Sequence, residues 1–269
     1  MGIVNTTPDS FYDGGRFADP ETARRHVDEL LAAGADILDI GGESTRPGAA
    51  PVPDDEQLRR IEPALLHALS RGAYVSVDTA SPGVARHALA LGAHLINDVS
   101  CLAHVELAEA VAEHGAVLVL MHSRGHMGDM PGFSQYPDAA YDDVVATVMR
   151  EWKEARARAV EAGVSEKSVW MDPGYGFHKN ARQSLELLGR TRELAREGVP
   201  LVVGPSRKSF IGALDGAGPE SRLGGSIAAC LYAALQGASV LRVHDVREAR
   251  QALALWRAAA ASAREAADA

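Results

Sequence analysis

Short apolar runs alternate with longer amphipathic stretches from one end of the chain to the other. The short runs are GIVN (2–5), DILDIG (36–41), YVSVD (74–78), HLIND (94–98), AVLVLMH (116–122), SVWMD (168–172), PLVVG (200–204) and SVLRVH (239–244). Their length and content of Val, Ile and Leu predict eight strands. Between them the apolar positions take a helical spacing, for example over 20–33, 55–70, 104–114, 140–162, 180–197 and 221–236. Several of these segments stop at a glycine suited to the residue after a helix, such as Gly34, Gly92, Gly115, Gly163 and Gly237. Strands alternating with helices predict a parallel sheet covered by helices. Eight such units in 269 residues favour a closed (β/α)8 TIM barrel over an open doubly wound sheet. No linker, repeat or low-complexity stretch divides the chain, so residues 1–269 are read as one α/β domain.

The apolar runs end on polar residues: Asn5, Asp78, Asn97, His122, Asp172 and His244. In a (β/α)8 barrel these ends gather on the C-terminal face, where active sites of the fold lie. The segments after strands 1, 2 and 5 are long and rich in Gly and Pro, and are read as mobile covers of that face. The last run, SVLRVHDV, places Arg242 and His244 two positions apart. Side chains alternate along a strand, so the two are expected to point to one spot.

Composition narrows the partners. Lys plus Arg number 27 against 36 Asp plus Glu, a net charge of −9, which argues against nucleic acid or an anionic membrane. Any anion must be met by cations gathered locally. The two cysteines, Cys101 and Cys230, have no ligand-like spacing and are expected as reduced thiols. The opening MGIVNTTPDS lacks the pattern of a signal peptide, and no apolar run approaches the roughly 20 residues of a membrane span. A cytoplasmic location is expected.

Two carboxylates, Asp78 and Asp172, and the amide of Asn97 would face the barrel mouth together. A ring with adjacent N–H donors and a carbonyl, of the aminopyrimidine type, satisfies such a set. The alternative is that the carboxylates pair internally with Lys208 and Arg242. The loop VGPSRKSFIG (203–212) follows strand 7, where this fold often holds anions, and carries Gly204, Lys208 and Ser209. Arg242 and His244, beside Asn5 on the adjoining first strand, form a candidate grip for phosphate oxygens; alternatively they bridge to Asp245 or a barrel carboxylate. Neither a nucleophile–base pair, an HExxH zinc pattern, nor a Walker or dinucleotide fingerprint occurs.

Taken in order, GIVNTTPDSFYDGG (2–15), DIGGESTRPGA (39–49), SVDT (76–79), INDVS (96–100), LMHSRG (120–125), MDPGYGFHK (171–179), GPSRKSFIG (204–212) and LRVHDV (241–246) closely resemble the dihydropteroate synthase family. The resemblance implies a barrel enzyme that joins 6-hydroxymethyl-7,8-dihydropterin diphosphate to 4-aminobenzoate and releases diphosphate and 7,8-dihydropteroate. It implies that Asp78, Asn97, Asp172 and Lys208 hold the pterin, bordered by Met121 and Phe177. It assigns Asn5 to a magnesium ion and Arg242 with His244 to the diphosphate. Asp13 from the first loop and Thr45, Arg46 and Pro47 from the second close over the site, with Ser209 near the aminobenzoate carboxylate. It further implies a homodimer. On this assignment Arg242→Ala is expected to weaken the diphosphate substrate and largely spare a bare pterin, and 4-aminobenzoate is expected to bind poorly to the free protein and well once diphosphate, pterin and magnesium are present.

The chain departs from the family pattern at His178, where a glycine is usual, and at Asn180, Gln183, Ser184 and Pro205. Family members carry a segment ahead of the first strand, whereas this sequence opens almost on it. Two rival readings are a pterin-binding methyltransferase, which has no diphosphate to hold, and a non-catalytic pterin-binding relative.

Overall fold

The computed structural model describes residues 1–7, 19–125, 127–132 and 134–268. Six parallel strands pair in chain order: β1 (Gly2–Asn5), β2 (Ile37–Gly41), β3 (Tyr74–Asp78), β4 (Leu95–Asp98), β5 (Val117–Met121) and β6 (Val169–Asp172). Two short strands, β7 (Val202–Val203) and β8 (Val240–Leu241), pair with each other. Single bridges close the circle, Met171 to Leu201 between β6 and β7 and Gly2 to Val243 between β8 and β1. Ile3 N–H donates to Val243 O at 3.1 Å and Val243 N–H to Met1 O at 2.9 Å across the closing seam. The predicted barrel is present, with its last two strands shorter than their apolar runs.

The helices are α1 (Pro20–Ala32), α2 (Asp54–Ser70), α3 (Pro82–Ala90), α4 (Val105–Glu113), α5 (Val144–Glu161), α6 (Ala181–Gly189), α7 (Thr191–Ala195), α8 (Ser209–Gly212), α9 (Leu223–Leu235) and α10 (Val246–Asp268). The predicted helix over 180–197 is thus two, broken at Arg190, whose side chain bonds Glu186, Glu193 and Asp143. The short α8 is a further addition, inserted after β7. Asp19, Ser81, Asp143 and Asn180 each cap a helix by accepting a backbone N–H, a contact worth about 1 kcal/mol. No helix among the described residues is long and apolar enough to cross a membrane.

The two-residue alternation of the strands sorts the core into two layers. Val4, Leu38, Ile40, Val75, Val77, Ile96, Leu118, Leu120, Met171 and Val203 belong to the large apolar cluster shared with the helices. Their neighbours of opposite parity, Leu95, Val119 and Val202 with Ile37, Val117, Trp170 and Val240, fill the barrel interior. At the C-terminal end of the strands the same inward parity reaches Asn5, Gly41, Asp78, Asn97, Met121, Asp172, Gly204 and Arg242. A largely apolar plug therefore supports a polar mouth.

Candidate active site

The mouth opens into two adjoining chambers. The inner one, about 350 Å³, is lined by Asp78, Asn97, Met121, Asp172, Phe177 and Lys208, among others. The outer cleft, open to solvent, is bounded by Asn5, Thr45, Arg46, Ser209, Arg242 and His244, with further loop residues. Thr45, Asp78, Phe177, Gly204, Lys208 and Arg242 border both. Of the described residues in the sequence assignment, all but Pro47 line one chamber or the other. Asp13 lies outside the described residues.

Within the inner chamber acidic groups face a cation. Lys208 Nζ sits 3.5 Å from the centroid of the Phe177 ring, a cation–π contact. Burial lowers the Lys208 ammonium to about 7, Arg242 lowering it further while Asp172 and Asp78 resist. Burial pushes Asp78 up to about 7, opposed by Arg242 and Lys208. Asp172 is also raised by burial, and its Oδ1 accepts from Gly174 N–H at 2.7 Å. A Cβ on Gly174 would collide with the His122 carbonyl oxygen, and its φ of +68° suits glycine, so this tight turn holds the acceptor in place.

Arg242 departs from the simple assignment. Its Nε donates to Asp39 Oδ2 at 2.6 Å and its Nη2 to Asp78 Oδ2 at 2.7 Å. The internal pairing weighed for Asp78 and Arg242 is therefore realised, while Asp172 makes no ion pair with Lys208 among the described contacts. Burial works against the Arg242 charge, yet Asp39 and Asp78 hold its pKa above the ordinary range. Asp39, fully buried in the middle of β2, was not singled out in the sequence. The available signal was a carboxylate at an inward position inside an apolar strand.

His244 is not a second cation. Burial lowers its imidazole to about 3, with Arg242, Arg207 and Lys208 adding to the effect. Ser206 Oγ accepts from the His244 backbone N–H at 3.2 Å and lies 3.0 Å from Nδ1. With Nδ1 accepting the Ser206 hydrogen, Nε2 of the neutral ring carries the proton and serves as a donor. Nor does Arg207 serve an anion as a free charge. It forks onto Asp245 at 2.7 and 2.8 Å and donates to Pro219 O and Glu220 O, fixing the loop after β7. Asp245 thus takes Arg207 and not Arg242 or His244.

The second loop is stitched at its base. Glu43 accepts from Val52 N–H at 2.9 Å and from Gln57 Nε2 at 3.4 Å, and Arg60 donates to Gly42 O at 3.0 Å. Gly48 N–H reaches Gly128 O of the loop after β5 at 3.0 Å. That loop also meets the rim where Ser134 Oγ lies 2.6 Å from Ser209 Oγ.

His122, counted in the sequence among the converging strand ends, has the wrong parity and points out of the barrel. It is fully buried, with Nε2 2.9 Å from Glu151 Oε2 and Nδ1 2.9 Å from Lys179 Nζ. Lys179 also donates to the carbonyls of His122, Gly174 and Phe177, tying down the loop that carries the Phe177 wall. Burial lowers the Lys179 ammonium to about 7 from an ordinary 10.5. Between those values the unfolded chain holds the proton and the folded chain does not, so stability from this position rises with pH across the window. The slope is at most about 1.4 kcal/mol per pH unit. Lys179→Met should remove that slope. Denaturant titrations of both proteins at several pH values across the window test it, and a constant difference between them would refute it.

The departures from the family pattern are accommodated locally. His178 has φ +49°, the region that favours the usual glycine, but its Nδ1 accepts from Arg124 N–H at 3.2 Å and Tyr141 Oη donates to its carbonyl at 2.9 Å. Asn180 and Gln183 form a reciprocal capping box on α6. Ser184 Oγ accepts from Gly176 N–H at 3.1 Å. Pro205 contributes its carbonyl to Lys208 N–H at 3.2 Å, so its missing donor leaves the turn intact.

Known proteins resemble this chain over most of its length. The family described as "Pterin binding enzyme" matches residues 1–244. Dihydropteroate synthase of Escherichia coli strain K12 is 44% identical over 254 residues, covering 94% of this chain and 88% of its own length. The structure of Xanthomonas albilineans dihydropteroate synthase with 4-aminobenzoic acid superposes with a TM-score of 0.88 at 45% identity, covering 97% of this chain and 92% of that one. The same organism's enzyme in complex with 7,8-dihydropteroate gives a TM-score of 0.84 at 42% identity, over 97% and 93% of the two chains.

Proposed function

The chain belongs to the pterin-binding enzyme family, as one of its dihydropteroate synthases, and from that premise we propose how its two chambers condense 6-hydroxymethyl-7,8-dihydropterin diphosphate with 4-aminobenzoate to 7,8-dihydropteroate and diphosphate. The observation that carries this reading is the junction of an acceptor-lined inner chamber with a donor-lined outer cleft at Lys208 and Arg242.

The pterin ring enters the inner chamber. Asp78, Asn97 and Asp172 accept from its N–H groups, Met121 and Phe177 cover its faces, and Lys208 donates to its acceptors. The diphosphate lies in the outer cleft. As the bond from the methylene to the leaving oxygen breaks, negative charge gathers where Lys208, Arg242 and His244 Nε2–H present donors. Two of the five N–H donors of Arg242 are engaged by Asp39 and Asp78 among the described residues, and the others serve phosphate oxygens. Asp78 and Asp172 favour the positive charge that develops on the pterin methylene. The amine of 4-aminobenzoate is neutral and nucleophilic, so the bond to carbon forms without a dedicated base. Ser209 on the rim, with Thr45 and Arg46 opposite, is placed to receive its carboxylate.

Magnesium fits the residues present. Asn5 offers a hard amide oxygen on the cleft wall, and no cluster of three acidic, His or Cys side chains occurs among the described residues. Such a site suits an ion that keeps waters and substrate phosphates as its other ligands. Bound there, magnesium would neutralise charge on the departing diphosphate.

Incubation with both substrates and magnesium should release diphosphate and dihydropteroate in equal amounts. Absence of diphosphate release would overturn the assignment. The same reading extends to a cytoplasmic homodimer. The two cysteines are unpaired, and the Ala-rich α9 exposes Tyr232 and Leu235 beside α10, which exposes Leu255. Light scattering at micromolar concentration should give twice the chain mass, and a monomer would remove the dimer without touching the chemistry.

A further inference from the structure

We propose that Asp39 is a positioning residue that sets the polarity of the inner chamber by turning the Asn97 amide so that its oxygen faces the ligand. The inference rests on the pterin reading of that chamber and adds a residue that does not line it. Asp39 sits in the middle of β2, fully buried, in register with the small Ser76 of β3. Over Ser76 its Oδ2 receives two donors, Arg242 Nε at 2.6 Å and Asn97 Nδ2 at 3.1 Å from β4. A carboxylate bonded to a guanidinium accepts and does not donate. The Asn97 amide must therefore present its NH2 to Asp39, which leaves Oδ1 on the other side of a side chain that lines the chamber. Among the described residues Oδ1 has no hydrogen-bond partner, although Asn97 is only 3% exposed.

The consequence is chemical. Asp78, Asp172 and Asn97 Oδ1 form three acceptors, a set matched to a ring edge bearing N–H donors. A reversed amide would put an NH2 there and favour a carbonyl at the same place. Asp39 thereby discriminates an amino from an oxo substituent without touching either. It also holds Arg242 at the junction of the chambers, so one oxygen atom couples ring recognition to the anion grip.

Calorimetry with two probes separates these roles: pterin, which carries the 2-amino group, and lumazine, its 2-oxo counterpart. The wild-type protein should prefer pterin. Asp39→Ala frees the amide to rotate and should reduce the pterin-to-lumazine affinity ratio at least tenfold. Asp39→Asn, with its oxygen in the place of Oδ2, still accepts both donors and should hold the ratio within about threefold of wild type. A ratio unchanged in Asp39→Ala, with both probes weakened alike, would reduce Asp39 to packing and overturn the proposal. Should Asp39→Ala fail to fold, nitrogen NMR of the wild-type protein decides. The Asn97 side-chain NH2 should be protected from exchange equally with and without pterin, and protection acquired only on binding would mean that it faces the ligand. Wild-type protein that binds neither probe would overturn the pterin reading instead.

Discussion

Arg242→Ala is expected to destabilise the ligand-free protein by about 3–5 kcal/mol, the cost of removing one partner from a buried ion pair. Asp39 is fully buried, the Asp78 side chain is 14% exposed, and each gives one oxygen to the guanidinium. Without it, two carboxylates two strand positions apart share a low-dielectric pocket, with Lys208 opposite Asp78. Asp78 must respond. Burial already pushes it up to about 7 and Arg242 opposes that rise, so loss of the guanidinium drives it higher and protonates it at neutral pH. A protonated carboxyl is a poorer acceptor for ring N–H groups. The variant should therefore bind a bare pterin more weakly as well as the diphosphate substrate. This reverses the expectation from the sequence, which placed Arg242 in the anion site alone. Denaturant unfolding and calorimetry with bare pterin measure the two effects. Wild-type stability together with wild-type pterin affinity would show that the pair contributes nothing. Adding Asp39→Asn to Arg242→Ala should recover part of the stability, because it removes one of the stranded charges.

The architecture was legible because its signal repeats. Eight apolar runs, each ending in a turn, leave few arrangements open, and the parallel barrel is the one that covers every run with a helix. The mouth residues were legible for the same reason, since period-two alternation carries the inward parity from the interior plug to Asp78, Asn97 and Asp172. Where that alternation was not applied the reading went astray. His122 follows the inward Met121 by one position and so faces the helices, where it serves Lys179 and Glu151. Asp39 has the inward parity but lies one layer below the rim, and an apolar run can hide a single carboxylate. Its role depends on Arg242, which is 203 positions away in the chain. No local pattern encodes such a pairing. Charge states were equally hidden. His244 and Lys208 are cations by type, and only their burial beside Arg242 moves one to about 3 and the other to about 7.

That last shift leads to an expected pH profile. The proposed reaction uses Asp78 as an anion and Lys208 as a cation, and each titrates at about 7 in the ligand-free site. Below that value Asp78 takes up a proton and kcat/KM should fall. Above it Lys208 loses its proton and kcat/KM should fall again, so the profile is a narrow bell centred near neutrality. The limbs belong to the interacting pair, because each charge stabilises the other. Lys208→Met separates them. The variant keeps an apolar stem over the Phe177 ring but loses one charge-assisted donor, a contact worth about 1.5–3 kcal/mol, or roughly a 10- to 150-fold drop in kcat/KM at the optimum. Its alkaline limb should disappear. Its acid limb should move to higher pH, because Lys208 is one of the charges that hold the Asp78 pKa down. Steady-state rates of diphosphate release across the pH range, with both substrates and magnesium, give both limbs at once. An alkaline limb that persists in Lys208→Met would assign it to another group, and an acid limb that stays in place would uncouple Lys208 from Asp78.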